Sequence, residues 1–309
     1  MPNIEVLCRV ATTFNQAEEL DEEALREYFQ RFVDAKIGIY IASGGSGEGH
    51  ALTWEELRRT YEIGVAVGKG KIQVNSNHPE QHTAKKTREH LQLAIDCGID
   101  ILNLYGPSAS HGFKPHDEEY MEFHSDVLSE IKHPIALSPH PTMGYSPNPA
   151  LVAQLCDKYH QIVAVNLVGQ GDMYLINLLD RLKRTDVAFN VATTSSINCF
   201  KLGATAIIGN EFNIIPKTGW SYIDSYQAGK FDEMNQAYVH IKHLGEYTAK
   251  WRARWIKMAM RILKLPGGNG AMRKPYILPH EDEIARFQDG LLRLRIPEID
   301  NLARIAGLL

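Results

Sequence analysis

The sequence predicts an α/β protein built on a closed (β/α)8 TIM barrel, with a helical extension at its C-terminal end. Short apolar segments alternate with amphipathic helices eight times before about residue 217. The apolar segments are continuous rather than alternating, which favours a parallel sheet that is covered by helices on its outer face and filled inside. Eight such units in about 210 residues favour a closed barrel over an open sheet. No G-x-G-x-x-G follows the first strand, which argues against a dinucleotide-binding fold.

The strands of the barrel are predicted from the apolar segments at 4–14, 37–43, 71–77, 100–105, 134–138, 162–168, 187–191 and 205–209. Between them, helices are predicted from about 21, over 53–68, up to Gly98, and over 117–131, 148–159, 171–183 and 195–202.

Three local patterns support these helices. The first helix carries one apolar stripe, formed by Leu25, Tyr28, Phe29, Phe32 and Val33. The second helix opens with Thr53 followed three residues later by Glu56, the spacing of a capping box. Gly98 follows the third helix, where a glycine commonly ends a helix.

After residue 217 the strand pattern stops, which divides the chain into a barrel over 1–217 and an extension over 218–309. Helices are predicted at about 219–229, 231–265, 281–294 and 297–307, with a loop at 265–275. The sequence contains no flexible linker at the boundary, so we expect the extension to pack on the barrel.

The composition excludes several classes of protein. Of the 309 residues 44% are hydrophobic and 23% charged, close to the average for globular chains. The net charge of −4 with mixed signs does not support nucleic-acid binding, and no apolar run is long enough to span a membrane. The four cysteines form no C-x-x-C pair, so free thiols and a cytoplasmic location are expected.

Four segments resemble one barrel family. "GIYIASGGSGEGHALTWEEL" (38–57) is similar to the second-strand signature of the dihydrodipicolinate synthase / N-acetylneuraminate lyase family, and "TTF" (12–14) to its first-strand end. "LGATAIIGNEFNIIP" (202–216) and "GGNGAMRKP" (267–275) resemble its eighth strand and its C-terminal segment. The resemblance implies a small-molecule substrate, no bound cofactor and a homo-oligomer, either a tetramer or a dimer.

The same resemblance implies that the usual chemistry of the family is missing. Members bind pyruvate or a related α-keto acid as a Schiff base on a strand-six lysine, and that position falls on Asn166. The relay tyrosine falls on Ser138, the carboxylate-binding arginine on Met143, and the paired hydroxyls on Gly45 and Ser46. Strands four to seven contain no lysine, so Schiff-base catalysis on these strands is not expected.

Polar residues remain at the predicted strand ends, where a barrel of this kind carries its site. Their amides donate and accept hydrogen bonds, which suits a neutral, oxygen-rich ligand. The candidate substrate-binding residues are Gly45, Ser46, Asn77, His78, Ser138, Asn166, Asn190 and Glu211. The candidate catalytic residues are His140 and Tyr105, since a histidine can act as acid and base near neutral pH. His140 could instead cap a loop, and Glu48 is expected to be structural.

No metal is expected. A two-histidine-one-carboxylate set could combine His78 and His140 with Glu48 or Glu211, but these residues come from separate strands and their spacing is not diagnostic.

Three functions stay open on the sequence. The first is a lyase or hydro-lyase that uses direct acid–base chemistry on a small oxygen-rich metabolite. The second is a catalytically inactive homologue that binds or senses a metabolite. The third is a Schiff-base aldolase that uses Lys217, which lies just beyond strand eight.

Overall fold

The computed structural model of the protein describes residues 4–109, 112–195 and 197–309. Eight parallel strands form a closed barrel in chain order, with the eighth strand paired to the first. The predicted (β/α)8 barrel with C-terminal helices is confirmed. The strands are β1 (Glu5–Arg9), β2 (Gly38–Ile41), β3 (Val74–Ser76), β4 (Ile101–Tyr105), β5 (Ile135–Ser138), β6 (Ile162–Leu167), β7 (Ala188–Ala192) and β8 (Ala206–Gly209).

Helices cover the outside of the barrel and continue beyond it. Those that follow the strands are α1 (Glu22–Asp34), α2 (Trp54–Gly68), α3 (Ala84–Asp96), α4 (Asp117–Glu130), α5 (Pro149–Lys158), α6 (Asp172–Leu179), α7 (Asn198–Lys201) and α8 (Pro216–Gln227). The extension contains α9 (Phe231–Thr248), α10 (Arg254–Ile262), α11 (Glu281–Arg293) and α12 (Pro297–Ile305). Among the described residues, none of these helices has the length and hydropathy of a membrane span.

Local signals in the sequence place several helix ends correctly. The Thr53 hydroxyl accepts from the Glu56 N–H, and the Glu56 carboxylate accepts from the Thr53 N–H, so the predicted capping box is present. Gly98 has φ +86°, a left-handed conformation that favours glycine at the end of α3. All four cysteines are free, as predicted.

One expectation about the C-terminal part is wrong. The helix predicted over 231–265 is two helices, because the chain turns at Ala249–Trp251 and Arg252 has φ 52°. This turn buries Trp251 edge-on against Phe287 of α11, with 4.7 Å between the ring centroids. The predicted domain boundary at 217 falls inside α8, which packs against β1, so the division itself stays a prediction.

A buried ion pair joins the extension to the loop after β2. Lys257 of α10 lies 3.1 Å from the Glu48 carboxylate, and both side chains are 4% exposed. Burial lowers the pKa of the Lys257 ammonium, and the Glu48 charge opposes that shift. Nearby, Arg273 binds Glu56 through two hydrogen bonds of 2.6 and 2.7 Å and lies over the Phe14 ring. The extension is therefore attached to the barrel at the loop that borders its open end.

We predict that Glu48→Gln lowers the free energy of unfolding by about 3–5 kcal/mol, because it leaves the Lys257 ammonium buried without a counter-charge. The double variant Glu48→Gln/Lys257→Met removes both charges and is expected to be more stable than Glu48→Gln alone. Urea denaturation followed by tryptophan fluorescence measures the difference.

Glu62→Gln is the matched control, since Glu62 pairs with Arg59 in an ion pair whose side chains are about two-fifths exposed. Its loss is expected to cost less than about 1 kcal/mol. If Glu48→Gln and Glu62→Gln lower the free energy of unfolding equally, the buried pair stabilises the fold no more than an exposed pair does.

Candidate active site

A belt of amide side chains crosses the inside of the barrel. It connects Asn77, Asn103, Asn166 and Asn190, which come from four different strands or strand ends. The Asn103 amide donates to Asn77 at 3.0 Å, Asn166 donates to Asn103 at 2.8 Å, and Asn190 donates to Asn166 at 2.7 Å. All four side chains are at most 5% exposed, so these bonds replace water for buried polar groups.

Asn166 occupies the centre of this belt. Its carbonyl oxygen accepts from Asn190 and also from the Tyr40 hydroxyl at 3.2 Å, while its N–H donates to Asn103. Ser138 also donates to Asn103, at 2.5 Å. The Asn166 oxygen thus already has two donors within the protein, and the residue holds other side chains together.

A cavity of about 330 Å³ opens at the carboxyl ends of the strands. Its walls come from the ends of β1 to β5 and β8 and from the loops that follow them. It is lined by Arg9, Ser43, Gly44, Gly45, Ser46, His50, Asn77, Pro79, Glu80, Tyr105, His140, Thr142 and Asn210. Asn77 belongs both to the belt and to this lining, and Tyr105, another lining residue, donates to it. The belt therefore closes the cavity on its inner side.

Arg9, the last residue of β1, brings a positive charge into the cavity. Among the described residues it has no ion pair, and its buried Nε has no hydrogen-bond acceptor. Asn213 holds the backbone here, since its amide donates to the Arg9 carbonyl at 3.0 Å and to the Asn210 carbonyl at 2.7 Å. The Asn210 side-chain oxygen, also on the cavity wall, is buried without a donor.

The loop after β2 forms a second wall. The Ser43 and Ser46 hydroxyls lie 2.8 Å apart, and Ser43 Oγ also accepts from the Gly47 N–H. A Cβ on Gly49 would lie only 2.0 Å from the Ala42 carbonyl oxygen, so the tight return of this loop requires glycine. The loop therefore presents hydroxyls from a fixed backbone.

The rings of His140 and Tyr105 pack edge to face on the cavity wall, with their centroids 6.5 Å apart. Burial and, to a smaller extent, the Arg9 charge lower the pKa of His140 to about 4, so the imidazole is uncharged at neutral pH. Burial raises the pKa of Tyr105, whose hydroxyl donates to Asn77 at 2.8 Å. Both side chains are neutral hydrogen-bonding groups at physiological pH.

The structure brings together only part of the candidate set. Gly45, Ser46, Asn77, Tyr105 and His140 line the cavity. Asn166 and Asn190 lie beneath it in the belt, and Ser138 donates to the belt residue Asn103.

Two further candidates lie outside the cavity lining. The His78 ring stacks on His90 of α3, with 5.1 Å between the centroids. Glu211 accepts from the Thr193 hydroxyl at 3.2 Å, and burial raises its pKa. In the described part of the chain no three His, Cys, Asp or Glu side chains are arranged to hold a metal ion, so the two-histidine-one-carboxylate set is not assembled.

Arg9 and Glu80 line the cavity but were not singled out in the sequence, whereas Asn210, also in the lining, was one of the polar residues noted at the strand ends. Strand periodicity could have identified Arg9. Alternate residues of a barrel strand face inward, and Arg9 follows the interior residue Leu7 by two positions. The same spacing separates Asn210 from Ile208 on β8.

Comparison with known proteins agrees with the barrel and its extension. The model of the dihydrodipicolinate synthetase family matches residues 3–292. The chain belongs to this family.

Relatives within the dihydrodipicolinate synthetase family are distant. A 4-hydroxy-tetrahydrodipicolinate synthase of Methanococcus maripaludis is 24% identical over 287 residues, covering 92% of this chain and 96% of the relative. An uncharacterized DapA-like lyase of Rhizobium meliloti is 23% identical over 298 residues, covering 93% and 94%.

Solved structures share the fold of this family member. A family protein from Coccidioides immitis superimposes with a TM-score of 0.85 at 18% identity, covering 100% of this chain and 98% of its own. The 4-hydroxy-tetrahydrodipicolinate synthase of Methylacidiphilum fumariolicum gives the same TM-score and identity, covering 97% and 98%.

We predict that Asn166→Leu lowers the free energy of unfolding by about 2–6 kcal/mol, since the buried donors of Asn190 and Tyr40 lose their acceptor at about 1–3 kcal/mol each. Chemical denaturation measures the loss. Asn177→Leu on α6 is the control, because this partly exposed amide bonds only to nearby residues of its own segment. A stable Asn166→Leu protein would mean that the belt is dispensable.

Proposed function

We propose that this protein is a lyase that binds a small anionic, oxygen-rich metabolite at the mouth of its barrel and acts on it without a Schiff base. The observation that carries this proposal is the Arg9 guanidinium, which lines the cavity with no ion-pair partner among the described residues. The lyase class is supported by family membership.

The charge of Arg9 argues for an anionic group on the ligand. The charge of Glu211 acts on Arg9, but no carboxylate of the described residues lies within ion-pair distance of it. A partly buried guanidinium without such a contact loses hydration, and a ligand carboxylate that binds it restores that loss through charge-assisted hydrogen bonds. The amides alone favoured a neutral ligand, and Arg9 changes this expectation. The unpaired Asn210 oxygen adds a place for a ligand donor, such as a hydroxyl.

Glu80 supplies the proton acceptor in this proposal. It is the one carboxylate among the described residues that line the cavity, and its Oε1 accepts from the Thr142 hydroxyl at 2.9 Å. With a β-hydroxy carbonyl substrate, Glu80 takes the hydroxyl proton and that oxygen forms a new carbonyl. The carbon–carbon bond breaks, and its electron pair moves onto the remaining carbonyl group as an enolate.

The positions of the lysines argue against the Schiff-base alternative. Lys217 lies at the start of α8 and lines a different groove, together with residues of α1, α9 and α12. Lys257 is buried against Glu48 and does not line the cavity. Met143, at the position that aligns with the carboxylate-binding arginine of the family, is fully buried.

A catalytically inactive metabolite-binding protein is the second candidate. The belt supports it, because Asn166 is held by three hydrogen bonds at the position that aligns with the nucleophile. Turnover separates the two proposals, since a binder is stabilised by its ligand without forming product.

We also expect a homo-oligomer in the cytoplasm. Family structures include one described as the first monomeric variant of dihydrodipicolinate synthase, so assembly varies among relatives. Whether this chain forms a dimer or a tetramer stays a prediction that mass photometry can test.

We predict that Arg9→Gln weakens the binding of anionic ligands by about 10- to 100-fold, or 1.5–3 kcal/mol. Thermal-shift screening of hydroxy acids and keto acids, each beside its uncharged amide, finds the ligand, and calorimetry measures its affinity. Arg59→Gln is the control, because Arg59 binds Glu22 and Glu62 on the helical surface. A wild-type protein that prefers the amides would contradict an anionic ligand.

We predict that pyruvate and borohydride leave the mass of the protein unchanged. No lysine lines the cavity among the described residues, so no imine forms there to be reduced. Intact-mass spectrometry reads the result, and a lysine-dependent aldolase treated in parallel verifies the reagent. An adduct mapped to Lys217 would restore the Schiff-base alternative.

A further inference from the structure

The ring of His140 is fixed by the turn that follows it. His140 precedes the 3-10 turn Pro141–Met143, and its Nδ1 lies 3.1 Å from the Thr142 N–H. A backbone N–H can only donate, so Nδ1 is the acceptor in this bond. A neutral imidazole carries one proton, which is therefore on Nε2.

The Thr142 hydroxyl fits the same assignment. It lies 2.8 Å from Nδ1 and donates to Glu80 at 2.9 Å. A proton on Nδ1 would point at the fixed Thr142 N–H, whereas the hydroxyl can rotate its own proton toward Glu80. The backbone contact therefore decides the tautomer, and Nε2 is the ring nitrogen left for a ligand.

Burial keeps the ring uncharged, and the Arg9 charge adds to this effect. Arg9 approaches from β1 and opposes protonation, and the Tyr105 ring approaches from β4. Glu80 reaches His140 through Thr142, and His50 lines the same cavity. On the β6 side the neighbour is Gly169, whose Cβ position would lie 3.9 Å from the ring, and it carries no charge.

We infer that His140 acts as an uncharged electrophile, whose Nε2–H donates to the substrate oxygen on which negative charge develops. This assignment rests on the proposed function, and it gives the cavity a substitute for the electron sink that a Schiff base provides. A hydrogen bond of this kind strengthens as the oxygen gains charge, so it stabilises the enolate more than the substrate. A neutral imidazole fills this role where its pKa is held far below neutrality. The ring keeps its proton, and Glu80 remains the base.

Nuclear magnetic resonance of the full chain with 15N-labelled histidine tests the tautomer without any ligand. The His140 signals are those missing from the spectrum of His140→Gln. We expect a protonated Nε2 and an unprotonated Nδ1 from about pH 8 down to about pH 5.5, and the same pattern in Thr142→Val, which keeps the backbone N–H. A proton on Nδ1, or a doubly protonated ring near pH 6, overturns the inference.

Calorimetry with oxalate, a planar dianion that resembles an enolate, tests the donor role. His140→Gln keeps an N–H near the position of Nε2, so its affinity is expected to stay within about threefold of wild type. His140→Leu removes the donor and should weaken binding about tenfold, or 1.4 kcal/mol. Equal losses in both variants overturn the donor role, while an effect of Arg9→Gln alone would leave the proposed anion site intact. Absence of oxalate binding to the wild type, with the expected tautomer present, overturns the donor role and the anion site together.

Discussion

Hydrogen bonding between amides inside the barrel is the constraint on which the site depends. These amides are at most 5% exposed, and each finds a hydrogen-bond partner on another strand or strand end. Asn166 accepts from Asn190 and Tyr40 and donates to Asn103, which links β2, β4, β6 and β7 at one level. This level is the inner boundary of the cavity, and ligand chemistry must take place above it.

The belt also explains how the cavity can differ chemically from a Schiff-base site on the same fold. Among the described residues, no lysine lines the cavity. Arg9 comes from β1, Glu80 from the segment after β3 and His140 from the segment after β5. In our proposal Arg9 binds the anionic group, Glu80 accepts the proton and His140 stabilises the developing charge. A Schiff base would instead combine charge stabilisation with covalent binding in one residue.

The C-terminal extension takes part in the site indirectly. Lys257 pairs with Glu48, which belongs to the same loop as Ser43 and Ser46. Glu48 has a left-handed backbone (φ 49°), a conformation that a non-glycine residue adopts only when its surroundings hold it there. The ion pair provides such support, so the position of the cavity hydroxyls depends on a residue more than 200 positions away in the sequence.

The barrel and most helix ends could be predicted from the sequence, because apolar periodicity, the Thr53 cap and Gly98 act over a few residues. The family could be recognised from four short segments. It also indicated that polar residues gather at the strand ends, and it marked Asn166 as a candidate ligand-binding residue. Only the tertiary structure decided which of these residues meet the cavity. Asn103 and Asn166 are 63 positions apart, and nothing local to either shows that they bond to each other rather than to a ligand. The role of a buried polar group depends on which distant strands surround it, and closure of the barrel fixes that arrangement.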